Sequence, residues 1–77
     1  MVTVNVLLSS FNDVKNFVNI VSKYDFDIDL ESGRYVIDAK SIMGIFSLNL
    51  AQPIKIYIHS DNTEIIEKEL EQFKYLP

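Results

Sequence analysis

Apolar side chains recur along this chain at two periods. Val2, Val4 and Val6 alternate with Thr3 and Asn5, the spacing of a half-buried strand, in which successive side chains point to opposite faces. Ser9, Ser10, Asn12 and Asp13 follow, residue types that favour a helix start. From there Phe11, Val14, Phe17, Val18 and Val21 fall on one helical face, which predicts a helix reaching about Tyr24. Phe26, Ile28 and Leu30 alternate with Asp27 and Asp29 in a second strand. Glu31-Ser32-Gly33-Arg34 reads as a hairpin turn, with Gly33 free to take positive φ, and Tyr35, Ile37 and Ala39 are expected to face inward on a third strand.

A short helix is predicted from Ser41, ending near Asn49, a residue that tolerates the left-handed conformation found past helix C-termini. Ile54, Ile56 and Ile58 alternate with Lys55 and Tyr57 in a fourth strand, with Pro53 confined to its start. Asp61-Asn62-Thr63 caps a last helix whose inner stripe is Ile65, Ile66, Leu70 and Phe73, with Glu64 and Lys68 pairing outside. The order is β-α-β-β-α-β-α. Strands joined by a helix lie parallel with room for another between them, and hairpin strands lie adjacent. The expected class is α+β: one four-stranded sheet of antiparallel type, covered by all three helices on one face. Asp27, Asp29, Arg34, Val36, Asp38, Lys55 and Tyr57 then make up most of the open face.

The 77 residues form a single domain, 1–77, near the lower limit at which one core holds without staples. An apolar fraction of 48 % supplies that core. With no cysteine there is no disulfide and no thiolate metal site. No run approaches the ~18 apolar residues of a membrane span, and no basic segment precedes an apolar one as in a leader; a cytoplasmic protein with no membrane partner is expected. The net charge of −4, with seven basic residues scattered singly, argues against nucleic acid, whose binding rests on clustered Lys and Arg neutralising phosphates.

Little chemistry is available. Two glycines exclude a phosphate-cradling or dinucleotide loop in practice. His59 is the single histidine, at a strand end without a positioned partner, and reads as an ordinary polar residue. No metal ligand set, cofactor site or catalytic constellation is expected, and the protein is not read as an enzyme. The informative stretch is Lys40-Ser41-Ile42-Met43-Gly44-Ile45-Phe46-Ser47-Leu48. Ser41 stands where an N-cap belongs. The apolar residues behind it point all round a short helix, whereas one core buries one stripe. Ile42, Met43 and Phe46 therefore divide between core and an exposed docking patch beside Ser41.

This segment closely resembles the regulatory-serine region of HPr, the small phosphocarrier of the bacterial sugar phosphotransferase system. The resemblance extends over about residues 10 to 60. Ser22-Lys23-Tyr24-Asp25 and Asp27-Ile28-Asp29-Leu30-Glu31 resemble the end of the family's first helix and its second strand, and the spacing from Ser22 to Ser41 fits without a gap. Ten isoleucines, six asparagines and two alanines point to an AT-rich coding sequence, in keeping with a low-GC bacterium.

The resemblance implies an open-faced β-sandwich, phosphorylation of Ser41 by a dedicated kinase, and a partner surface that includes Ile42, Met43 and Phe46. Where the family has Gly-Ile-His-Ala-Arg-Pro, however, this chain reads Leu8-Ser9-Ser10-Phe11-Asn12-Asp13. Ser10 and Asn12 stand near the positions of the family's histidine and arginine. A serine phosphate is a stable ester that cannot be passed on, so histidine phosphotransfer is expected to be lost. The leading reading is a regulatory HPr-like protein, resembling the histidine-lacking members that serve carbon-catabolite regulation. Its partners would be phosphotransferase-system enzymes, an HPr-type serine kinase or a transcriptional regulator. The alternatives are a working phosphocarrier and an assembly module unrelated to phosphotransfer.

Overall fold

The computed structural model describes residues 1–75. Its elements are β1 (Val2–Val6), α1 (Phe11–Val21), β2 (Ile28–Ser32), β3 (Tyr35–Asp38), α2 (Ile42–Phe46), β4 (Ile54–Ile58) and α3 (Glu64–Leu70), the last continued by a 3₁₀ turn over Glu71–Phe73. The strand order is β1-β4-β2-β3, with every neighbouring pair antiparallel. The strand last in sequence but one from the end of the sheet thus separates β1 from β2, the place that a helical crossover leaves open.

Register follows from burial. Ile56 pairs with Val4 on one side and Leu30 on the other, and Leu30 pairs with Ile37, which makes an apolar row across the inner face. Ile54, Ile56 and Ile58 are fully buried. A slip of one residue would turn them all to solvent. Above them lie Val14, Phe17 and Val21 of α1, Ile45 of α2, and Ile66 and Leu70 of α3, all buried. Phe17 meets Phe73 edge-on, centroids 6.1 Å apart, the arrangement favoured by the ring quadrupoles. The outer face carries the alternate residues, among them Asp29, Glu31, Lys55 and Tyr57.

The hairpin loop shrinks to Gly33-Arg34, with Ser32 and Tyr35 already paired. Gly33 has φ +61 and no other described residue has positive φ, the sign pattern of a type II′ turn, whose twist suits the flanking strands. The free side of β1 is covered at its C-terminal end by the last described residues. Leu7 N–H donates to the Phe73 carbonyl (2.8 Å), and Tyr75 N–H to that of Asn5 (2.9 Å). None of the helices is long and apolar enough to cross a membrane.

Several expectations are corrected. α1 ends at Val21 rather than Tyr24, because Lys23 and Tyr24 N–H turn back to the Ile20 and Val21 carbonyls. α2 ends at Phe46, and Asn49 is not left-handed; its side chain accepts from Ala51 N–H (3.1 Å) instead. β2 starts at Ile28, leaving Phe26 against Tyr24. Ile65 is 67 % exposed, because the buried stripe runs through Ile66, Leu70 and Phe73 and Ile65 lies a quarter-turn away. Tyr35 is also exposed, being at the end of an edge strand, and Phe11 lies outside the core. Thr63 makes no cap bond; its hydroxyl donates to Glu67 (2.7 Å). Among the described residues Glu64 and Lys68 form no ion pair.

The ion pairs that do form include Lys23 with Glu69, which ties the end of α1 to α3. The other Glu69 oxygen accepts the Tyr24 hydroxyl. That hydrogen bond, with some burial and the carboxylate's charge, pushes the Tyr24 phenol up to about 12. Hydrogen bonds from Lys23 and then Tyr24 hold Glu69 below the usual carboxylate range. The neutral phenol is the favoured form, so its contribution to stability is full below 10.0 and lost as pH rises through about 12. Glu69 acts in the opposite sense: its contribution is present above the ordinary carboxylate value and lost as pH falls through its own lowered one.

Two outcomes follow. Phe17→Ala should lower the free energy of urea unfolding by ~3–5 kcal/mol, a large part of the total for a domain of this size. In a near-ultraviolet titration, a tyrosine ionising at about 12 should vanish in Tyr24→Phe and move back toward 10.0 in Glu69→Ala.

Candidate functional site

The start of α1 supplies its own anion. Ser10 is the N-cap, and its hydroxyl accepts from Asp13 N–H at 3.1 Å. Asp13 reaches back, its carboxylate accepting from Ser9 N–H (3.2 Å) and from the Ser9 hydroxyl (3.0 Å). This is close to a capping box, displaced by one residue toward the N-terminus. The negative charge that a helix N-terminus favours is thus already present as a side chain. Ser10 and Asn12 are exposed, and Asn12 makes no side-chain hydrogen bond among the described residues.

Phe11, between them, is 62 % exposed and stacks on Phe46 of α2, centroids 5.2 Å apart and planes 19° from parallel. The Lys15 ammonium sits 5.7 Å from the Phe11 centroid, within reach of a cation–π attraction. Sequence periodicity put Phe11 in the core because it continues the stripe of Val14 and Val18. Only the position of α2 turns it into a surface residue, and no local signal announces that.

α2 begins as its sequence predicts. Ser41 is the N-cap, its hydroxyl accepting from Gly44 N–H (3.2 Å) while its carbonyl accepts from Ile45 N–H (3.1 Å). Gly44 permits close packing: a Cβ there would lie 3.1 Å from the Ser41 hydroxyl oxygen and 3.2 Å from Ile37 Cδ1. Ile45 takes the core position and Ile42 is half-buried against it, whereas Met43 is 77 % exposed and Phe46 37 %. Met43, Phe46 and Phe11 thus form an apolar surface bridging the two helices, next to exposed Ser41.

Lys40, whose role sequence reasoning did not assign, anchors this helix from below. Its ammonium donates to the carbonyls of Tyr24 (2.6 Å) and Phe26 (3.2 Å), and its own N–H donates to Asp38 Oδ1 (2.9 Å). The start of α2 is therefore fastened to the loop between α1 and β2.

His59 is remote in topology from this pair of helix starts. It follows β4 on the open face of the sheet, with Nε2 2.9 Å from Asp29 Oδ2. No group of three His, Asp or Glu side chains among the described residues could hold a metal ion. A groove of ≈ 340 Å³ between β1 and α3 is lined by Thr3, Asn5, Glu67, Leu70, Lys74 and their neighbours, and contains none of the candidate residues.

Residues 13–74 match the family model described as the PTS HPr component phosphorylation site; Ser10 and Asn12 lie just before that match. The fold is similar to that of HPr-C-His from Thermoanaerobacter tengcongensis, at 29 % identity and a TM-score of 0.77 over 94 % of this chain and 89 % of that one. It is similar also to the phosphocarrier protein HPr from Bacillus anthracis str. Ames, at 27 % identity and a TM-score of 0.73 over 95 % and 96 % of the two chains. The open-faced sheet, the order of its strands and the helix that begins at Ser41 are thus a family inheritance, and this chain belongs to the HPr family of the phosphotransferase system.

Proposed function

We propose that this HPr-family chain works by protein contact rather than by carrying a phosphoryl group on histidine, with Ser41 as its modification site. The observation that carries the reading is the start of α1, which holds a carboxylate, Asp13, and no histidine. Phosphoryl transfer through a P–N bond needs an imidazole at a place that welcomes an anion. This helix start has no imidazole, and its own Asp13 carboxylate, bonded back to Ser9, already places a negative charge beside it. A second negative charge brought there would face repulsion from Asp13 in place of the arginine that the family uses.

The surface available for contact is Met43, Phe46 and Phe11, with half-buried Ile42 supporting it. Exposed aromatic and methionine side chains in contact are characteristic of docking patches. Ser41 borders that patch. A phosphate on it would add a charge of about −1.5 to −2 beside apolar groups, a change large enough to switch a partner on or off. Lys40 is held by the Tyr24 and Phe26 carbonyls and Asp38 is turned to Lys40 N–H, so the hydroxyl stands clear of competing side-chain contacts except its own cap bond. Suitable partners are phosphotransferase-system enzymes, an HPr-type serine kinase or a transcriptional regulator.

Two experiments test this. With phosphoenolpyruvate and the system's first enzyme, no acid-labile phosphate should form. With ATP and an HPr-type seryl kinase, label should appear and be absent from Ser41→Ala, whose stability falls by ~1 kcal/mol through loss of the cap. A phosphohistidine at His59, lost on His59→Ala, would instead make the chain a phosphocarrier; failure of both reactions would favour the assembly module. Phe46→Ala should cost about 1 kcal/mol through the lost ring stack plus the burial of its covered part, less than a fully buried phenylalanine, yet abolish capture of the partner from the native host. A large fall in melting temperature would make Phe46 a core residue.

A further inference from the structure

The two edges of the sheet are treated differently. The C-terminal end of β1 is covered by the Phe73–Tyr75 segment, which bonds to Leu7 and Asn5. β3, at the other end, has no such cover. Ala39 N–H donates to the Ile28 carbonyl at 2.9 Å, so by alternation Tyr35, Ile37 and Ala39 turn their main-chain groups toward β2, and Val36 and Asp38 turn theirs outward. Among the described residues nothing bonds to Val36 N–H or C=O on that side, or to Asp38 N–H. Proteins commonly blunt such an edge with lysine, proline or a bulge. Tyr35-Val36-Ile37-Asp38 has no lysine or proline, and Tyr35 and Val36 are 64 % and 61 % exposed.

We propose that β3 is the docking edge for a second copy of this chain, paired antiparallel about a twofold axis through Val36. The charge pattern selects this occupant and this register. With Val36 opposite Val36, Arg34 of each copy lies opposite Asp38 of the other, and both pairs are attractive. A shift by two residues would set Arg34 opposite Lys40 in one direction and leave Arg34 and Asp38 opposite the uncharged Val36 and Ser32 in the other, and a shift by one would exchange the inner and outer faces. In the chosen register the outward main-chain groups meet: Val36 bonds reciprocally to Val36, and Asp38 N–H donates to the Arg34 carbonyl. The Asp38 carbonyl keeps its bond from Ser41 N–H (3.0 Å). On the helix side, Tyr35 of the second copy lies over Ile37, at a groove of ≈ 250 Å³ formed by Tyr35, Ile37, Ser47 and Leu48. On the open face the two valines cover each other.

The test is the mass of the whole chain in solution across a concentration series, by sedimentation equilibrium. The native chain should rise from 8.9 kDa toward twice that mass, with slowed hydrogen exchange at Val36 N–H as it does so. Val36→Lys, which sets like charges opposite each other on the axis, and Arg34→Asp should each stay monomeric. Asp38→Arg should be monomeric alone and form a heterodimer when mixed with Arg34→Asp, since both cross-pairs become attractive. Should Asp38→Arg fail to fold, because Asp38 accepts Lys40 N–H (2.9 Å), Val36→Lys and Arg34→Asp alone decide. A native chain that stays at monomer mass throughout overturns the proposal, as does a dimer that persists in both of those variants, which would then use another surface.

Discussion

Burial of the inner isoleucines of β4 is the constraint on which the remaining structure depends. Ile54, Ile56 and Ile58 need cover on both flanks and above, and β1 and β2 supply the flanks by running antiparallel to them. Those two strands are then parallel to each other, so the chain between them must cross over the sheet, and α1 is that crossing. Its apolar face closes the core from above through Val14, Phe17 and Val21. β3 can pair only on the far side of β2, and α2, following directly, must return toward α1. The meeting of the start of α1 with the end of α2, at Phe11 and Phe46, is thus a late consequence of how β4 is flanked.

Strand periodicity was legible because, in a sheet with one covered face, each inner residue's fate depends on parity alone. Val4, Ile56 and Leu30 occupy one row as their alternation requires. Apolar residues at the limits of elements were not legible in this way. Ile65 and Tyr35 match an inner pattern locally, yet their exposure is decided by a helix's rotation and by the end of a sheet. Helix ends depended on main-chain bonds, such as those that turn Lys23 and Tyr24 back on Ile20 and Val21.

The candidate site divides along the same line. The Ser41 and Ser10 caps are short-range features, readable from residue type and position, and both form. The backward reach of Asp13 to Ser9 depends on geometry within a turn, and the grip of Lys40 on Tyr24 and Phe26 joins segments distant in sequence. Those contacts give the site its meaning. The first puts a carboxylate at the start of α1. The second fastens the start of α2, beside Ser41, to the loop after α1.

The seal along β1 limits what kinds of assembly this sheet can enter. A sheet with two bare edges can add copies at both, and repeated head-to-tail addition has no natural end. Here Phe73 and Tyr75 cover the Asn5–Leu7 end of the β1 side, which leaves β3 the barer edge for strand pairing. Pairing at a single edge that matches itself closes on the first addition. Residues 73–75 thus cover one end of the β1 edge without contributing a contact to the β3 edge.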